Sequence, residues 1–404
     1  MALKKNLILI LAVFIVFSGL LARYLDRVPQ RHYCDFRVYY KAGQDFIKGK
    51  NIYFRESEEV TPFKYSPFFA FIVAPLSFLP IKVSASVFLA VNFILTILFF
   101  KLSFDLVQRS GVVATFSGKD SVLIYGLVLL CSIRYIFLTW DSGQVSILMC
   151  VLALASLSFL SKDKTAPAAG FLAASMLVKY MPAVFLPYLF FQRKFKAVFG
   201  TLFFIGLLLA LPALAVGFQK EIFYLTSWYP SITATSFDAV SYVIPKNQSI
   251  FSMVLRLLIP ATSLSFERAL QYGFITALLM YAVVFIPGKS KPRDMITDSA
   301  LLMICMTLFN PNAWMLNFVS LILPYMLLIQ YTVAVRGKDR FVLISLITAY
   351  VLTNVTSREF FGVSFEHFGS ACSLTTIGSL VLYVSLLKFK FFPLELKTAA
   401  PVIF

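Results

Sequence analysis

One carboxylate, Asp35, stands in a polar stretch near the start of the chain, and a small set of cations and amides follows it: Lys64, Gln144, Lys179, Arg256 and His367. Arg37, Tyr39, Tyr65, Asp141, Asn247, Gln248, Asn312 and Trp314 accompany them, in or beside the breaks between apolar runs. An acid facing several cations suits group transfer from a phosphate-bearing lipid. The leaving phosphate needs Lys or Arg to neutralise it, and the attacking hydroxyl needs a base, which a carboxylate supplies. Each residue also has a plainer reading. Asp35 is a favoured N-cap type, Lys179 can snorkel to an interface, and Gly143 with Gln144 can simply make a turn. Arg256 can pair with lipid head groups, His367 can be a solvated interfacial side chain, and Glu56, Glu58 and Glu59 look like a solvated turn. Five cysteines without a CxxC pair, and only two histidines, His32 and His367, argue against a disulfide frame or a metal centre. No cofactor is expected, and without a glycine-rich phosphate loop a nucleotide site has no support.

The chain around these residues is very apolar. Of its 404 residues 59% are hydrophobic and 14% charged, with a mean hydropathy of +0.83. A soluble domain runs at ~45–50% apolar and ~25% charged, so a water-soluble globular protein, a disordered chain and a disulfide-rich scaffold are excluded. An all-α polytopic membrane protein remains. The net charge of +17 would suggest nucleic acid in a soluble protein. Here Lys and Arg flank apolar runs, as cytoplasmic loops do, with attraction to anionic membrane lipids as a second reading. No basic stripe carries base-reading aromatics, so nucleic acid is discarded as a partner.

The elements that must position the candidates follow from the spacing. Lys4 and Lys5 precede an apolar run to about Ala22, read as an uncleaved first helix rather than a signal peptide. A polar outer loop covers 23–82. Within it Phe36, Tyr39, Tyr40, Gly43 and Ile47 recur at helical spacing with Lys41, Gln44, Asp45 and Lys48 opposite, which predicts an amphipathic helix at the membrane surface. Phe63–Pro80 is broken by Pro67, Pro75 and Pro80 and reads as short surface or re-entrant pieces. Candidate spans are 83–104, 121–138, 143–160, 197–217, 266–286, 313–330, 341–356 and 370–388, most near the ~20 residues of a bilayer crossing. Residues 166–191 read as two short helices split at Lys179–Pro182, and 298–309 as a short crossing that ends at Asn310-Pro311-Asn312. Basic loops at Lys162/Lys164, Arg193/Lys194/Lys196, Lys289/Lys291/Arg293 and Arg336/Lys338/Arg340, with Lys388 and Lys390 in the tail, place both termini inside and give about twelve crossings. The first outer loop is itself basic, against that rule, but long loops translocate with less regard for charge. The candidates then gather on the outer face of one domain, 1–404, where polar groups at membrane depth point to function.

Six stretches carry a resemblance: DFRVYYKAGQDFIKGKNIY (Asp35–Tyr53), FKYSPFFAFIVAPLSFLP (Phe63–Pro80), DSGQVSILM (Asp141–Met149), LVKYMPAVFLPYLFFQRKFKA (Leu177–Ala197), NQSIFSMVLR (Asn247–Arg256) and NPNAWMLNFVSLILPY (Asn310–Tyr325). In this order the chain resembles the integral-membrane C-type glycosyltransferases, and within them the polyprenol-phosphate-mannose-dependent mannosyltransferases of glycosyltransferase family 87. The resemblance implies a C-type bundle with an outer-face cavity and surface helices after the first span. It implies transfer of a sugar, usually mannose, with inversion from a polyprenyl monophosphate to a hydroxyl of an envelope glycolipid or glycan, outside a bacterial inner membrane. By the same carry-over Asp35 is the general base, Lys179 a phosphate ligand, and Lys64, Gln144, Arg256 and His367 further donor contacts. Many C-type enzymes carry an adjacent acidic pair in this loop, whereas Phe36 follows Asp35, which favours a metal-independent reaction. The alternatives are a transporter or flippase of a lipid-linked sugar, for which inverted repeats would speak and none is evident, and a C-type enzyme using arabinofuranose or aminoarabinose. A purely structural partner in an envelope-assembly complex is a further alternative, though the chain carries no soluble interaction domain.

Overall fold

The structure is a computed structural model that describes residues 18–19, 21–26, 34–53, 62–113, 115–236, 239–262, 264–288 and 291–392. His32, Glu56, Glu58, Glu59, Lys289 and most of the expected first span lie outside the described residues. Every regular element among the described residues is helical, as a chain in lipid requires if its backbone polar groups are to be satisfied within each segment.

Among the described residues five helices are long and apolar enough to cross a membrane: Ile81–Arg109, Gly118–Ser142, Phe195–Val216, Met315–Ala334 and Leu374–Phe391. A sixth is added if Arg340–Val355 and Arg358–Ala371, bent by 86° against each other, count as one span. These follow the expected segments closely. Residues 143–160 and 266–286 form the helices Ser146–Leu160 and Phe266–Val284. The expected split hairpin is present as Thr165–Val178 and Met181–Phe191. The short crossing expected at 298–309 belongs to a longer helix, Lys291–Leu308.

The core sits where helices Lys291–Leu308 and Met315–Ala334 meet. From Ala300 to Met306 and from Phe318 to Leu328 the hydrophobic side chains are fully or almost fully buried, as expected of helices that are apolar on all sides. The tail lysines are not free flanking charges. Lys388 pairs with Asp339 at 2.7 Å, and Lys390 with Asp298 at 2.5 Å.

The first-loop helix spans Asp35–Ile47. Gly43 lies so close to the next segment that a Cβ would come within 3.0 Å of Ala74 Cα, and the Tyr39 ring meets Phe69 edge-on at 5.2 Å. The buried face is wider than its pattern suggests. Phe46 rather than Ile47 turns inward, against Phe71 and Tyr224. Asp45, expected on the polar side, is 4% exposed and pairs with Lys41 at 3.2 Å. Phe46 lies between Phe71 and Tyr224, so the covered face extends beyond the predicted stripe.

Candidate active site

Asp35 is not the cap of its helix. Cys34 occupies the N-cap position, no side chain caps the first turn, and Asp35 is the first helical residue. Its carboxylate is directed elsewhere, accepting a hydrogen bond on Oδ2 from Gln144 Nε2 at 2.9 Å. Gly143 makes this meeting possible. It closes helix Gly118–Ser142 in the left-handed region, φ 65°, where glycine carries no Cβ penalty. A Cβ there would lie 2.8 Å from Phe36 Cβ and 2.5 Å from the Tyr24 phenol. The turn reading thus holds for Gly143, while Gln144 does more than turn the chain.

The orientation of the Gln144 amide is fixed by its neighbours. Oε1 accepts from its own Val145 N–H at 2.9 Å and lies 2.8 Å and 3.0 Å from the phenols of Tyr39 and Tyr65. Those two phenols are 2.8 Å apart. Each carries one proton, so one donates to Gln144 and the other to its fellow phenol. Burial raises both phenols above their ordinary range, which keeps them neutral donors. Flipping the amide would set an NH₂ against the Val145 N–H and an oxygen against the carboxylate.

Two lysines act on the same carboxylate. Burial raises the pKa of Asp35 above its ordinary value, opposed by the fields of Lys179 and Lys64 and by the Gln144 hydrogen bond. Lys179 sits in the break between Thr165–Val178 and Met181–Phe191. Its ammonium donates to Asn317 Oδ1 at 2.7 Å and to Ser146 Oγ at 3.1 Å. Burial lowers it to about 8, with Asp35 acting in the other direction. Lys64 is half-buried, lowered by burial and held up by Asp35. Its loop is joined to the Lys179 break through Ser66, whose hydroxyl donates to Leu177 O at 2.5 Å. No contact ion pair joins Asp35 to either lysine, and Asp35 Oδ1 accepts no hydrogen bond from the described residues.

The remaining candidates stand apart from this cluster. Arg256, expected at the donor phosphate, donates instead to Ser373 Oγ at 2.8 and 3.0 Å, to Asn247 O at 2.8 Å and to Ile244 O at 3.2 Å. Asn247 ties its loop to the Asn310–Trp314 break, donating to Pro311 O at 2.6 Å and accepting from Ala313 N at 3.2 Å. Gln248 donates to Pro245 O and Ser370 O. These three are braces of the loops. Asn312 O accepts from Asn310, Trp314 N and Asn317, which links that break to Lys179. Trp314 is exposed. Asp141 pairs with Arg23 at 3.0 Å, and Arg37 is half-buried. His367 is exposed on helix Arg358–Ala371 and makes no hydrogen bond or ion pair with the described residues. Its neighbour Glu366 pairs with Arg134 and Arg358.

Two members of the cluster were not anticipated, Ser146 and Asn317. A polar Asn inside the run MLNFVSLILPY is a signal that points to 317, since an amide at membrane depth demands partners. Ser146 offers none, because serine is common in such helices. Among the described residues no three His, Cys, Asp or Glu side chains come together.

Asp35, Tyr39, Lys64, Tyr65, Gln144, Ser146, Lys179 and Asn317 thus form one polar cluster at one end of the helices. No curated protein matches the chain. The model of glycosyltransferase family 87 matches residues 63–311, which contain Lys64, Gln144, Ser146, Lys179 and Arg256, with Asp35 before and Asn317 after the matched stretch. Helical, apolar enough to span a membrane several times, and matched by that family over more than half of its length, the chain belongs to glycosyltransferase family 87 and is a membrane glycosyltransferase.

Proposed function

We propose that this enzyme moves mannose, with inversion, from a polyprenyl monophosphate to a hydroxyl of a cell-envelope glycolipid or glycan. The observation that carries the reading is the open arrangement of opposite charges. Asp35 and two lysines share one cluster, yet the carboxylate is held by a neutral amide and keeps a free oxygen. A carboxylate in a contact ion pair is a poor base, and a quenched ammonium is a poor phosphate ligand. Here both remain available.

The chemistry then runs in one displacement. The acceptor hydroxyl attacks the anomeric carbon from the face opposite the phosphate. Its proton passes to Asp35, and the bond from the anomeric carbon to the phosphate oxygen breaks. The departing polyprenyl phosphate gains a negative charge, which Lys179 and Lys64 neutralise. Such preorganised cations stabilise charge that develops only in the transition state. Gln144 sets the direction of the carboxylate. Arg256, with its hydrogen bonds directed to the protein, serves the loops rather than the donor. A single carboxylate followed by the buried Phe36 supports a reaction that needs no metal.

Helix Gly118–Ser142 ends at Gly143 beside Asp35, and helices Ser146–Leu160 and Met315–Ala334 begin there. Their far ends lead to the basic loops at Lys162/Lys164 and Arg336/Lys338/Arg340. The positive-inside rule then supports an extracytoplasmic site in a bacterial inner membrane, about twelve crossings and a single domain. The test is a donor screen on the purified chain in detergent. Polyprenyl-phosphate mannose, glucose and arabinose are each offered with a membrane-lipid extract and read by mass spectrometry. The expected result is a mannosylated lipid with release of polyprenyl phosphate. Consumption of another donor alone overturns the sugar, and consumption of none overturns the donor class.

A further inference from the structure

An ammonium has three N–H donors. On Lys179 two of them go to Asn317 Oδ1 at 2.7 Å and Ser146 Oγ at 3.1 Å, and the third has no acceptor among the described residues. Both acceptors are buried: Ser146 is 0% and Asn317 1% exposed. Both are also fixed. The single hydroxyl proton of Ser146 points to Asn317 Oδ1 at 3.2 Å, leaving its lone pairs to Lys179. Asn317 Nδ2 donates to Asn312 O at 3.2 Å, which turns Oδ1 toward the ammonium. The Asn317 backbone is itself held, its N–H by Trp314 O at 2.8 Å and its carbonyl by Thr307 Oγ1 at 3.2 Å.

Neutral acceptors do something here that a carboxylate cannot. A half-buried lysine without acceptors loses its proton, because burial disfavours the charged form. A lysine in contact with a carboxylate keeps its proton, but its charge is neutralised locally. Two oxygens of an amide and a hydroxyl solvate the ammonium and leave its charge uncompensated. We infer that Asn317 and Ser146 are positioning residues that hold the Lys179 ammonium clear of a contact ion pair with Asp35, so that its charge and its third N–H face the donor phosphate. The inference rests on the donor-phosphate role of Lys179 proposed above, and it adds two residues to which no role has been given.

The groups that face Lys179 are Asp35 from the first-loop helix and the Cys150 thiol, one turn beyond Ser146 on its own helix. Changing the acceptors moves Lys179 in opposite directions. Asn317→Asp is isosteric and sets a carboxylate where the amide oxygen lay, so the ammonium is favoured. Ser146→Ala removes one acceptor and disfavours it.

The test follows Lys179 in the full-length enzyme in detergent by two readouts. One is its acetylation by acetic anhydride across pH, read by mass spectrometry. The other is the donor KM for polyprenyl-phosphate mannose. In N317D the labelling midpoint rises by about one pH unit or more and the donor KM rises about tenfold or more. In S146A the midpoint falls. Opposite signs are not produced by general loosening of the fold, and S146A decides alone if N317D does not fold. Midpoints unmoved in both variants, or moved in the same direction, overturn the inference. Midpoints that move in opposite directions with an unchanged donor KM uphold the positioning role and overturn the donor-phosphate reading instead.

Discussion

Two of the acid–lysine arrangements among the described residues differ in whether the opposite charges touch. At the end of the C-terminal helix, Lys390 and Asp298 are each 1% exposed and in direct contact at 2.5 Å. Lys390 also donates to Val284 O at 2.6 Å, and Tyr188 donates to Asp298 Oδ2 at 3.0 Å. In the cluster around Asp35 the acid and Lys179 are each held by neutral side chains and make no contact pair. A closed pair fixes a fold and has no charge left to offer a ligand. An open one is less favourable for the empty protein but retains a base and a cation. On the proposed reading the same residue types serve structure in one place and chemistry in the other, and the difference lies in whether the charges bond each other or neutral side chains.

Substitutions can break this comparison from either side. The largest effect is expected for Asp35→Asn, which removes the base while keeping the Gln144 contact within reach. Turnover falls about 10²–10⁴-fold, with the unfolding midpoint of the detergent-solubilised protein unchanged. Asp298→Asn is expected to do the reverse. It leaves Lys390 buried without its partner and lowers stability by about 3–5 kcal/mol, seen as a lower unfolding midpoint, while the molecules that remain folded keep their turnover. Replacing both members with apolar residues, Asp298→Leu with Lys390→Met, restores most of that stability, since a well-packed apolar pair replaces a buried ion pair at little cost. A smaller effect is expected for Tyr65→Phe, which removes one proton from the phenol–amide chain behind Gln144. The loss is about 1 kcal/mol, read as a several-fold fall in kcat with an unchanged donor KM. A Tyr65→Phe variant that weakens donor binding instead would move Tyr65 from supporting Asp35 to contacting the lipid phosphate.

The sequence discloses the two arrangements unequally. The long spans are legible because a bilayer crossing demands an uninterrupted apolar run, and Ile81–Arg109 or Leu374–Phe391 has little else it could be. Gln144 and Lys179 are legible because each interrupts or borders such a run, and Asp35 because it opens the amphipathic pattern of the first loop. Lys390 and Asp298 were not recognisable as a pair. A lysine near the C-terminus looks like a topological flank, and its partner lies far away in the chain on another helix. Ser146 is hidden for a related reason, since a small neutral side chain declares a role only through what it touches, whereas Asn317 is marked by an amide inside an apolar run. The Asp35–Ile47 helix shows the limit of periodicity. Its pattern locates the element, but its buried face is set by Phe71, Tyr224 and Ala74, which come from elsewhere. Asn247 and Asn354 match glycosylation acceptor patterns by type, and both side chains are buried.

The central claim is that Asp35 and Lys179 work in opposite protonation states within one open cluster, and the pH dependence of kcat/KM for labelled mannose transfer tests it most directly. The base is active when deprotonated, so the rate falls with decreasing pH through the pKa of Asp35, which lies above its ordinary 3.8. The cation is active when protonated, so the rate falls with increasing pH through about 8. A bell with these two limbs, its alkaline limb lost in Lys179→Arg, is the predicted result. A wild-type profile that stays flat through the weakly alkaline range, or an alkaline limb that persists in Lys179→Arg, would contradict the claim.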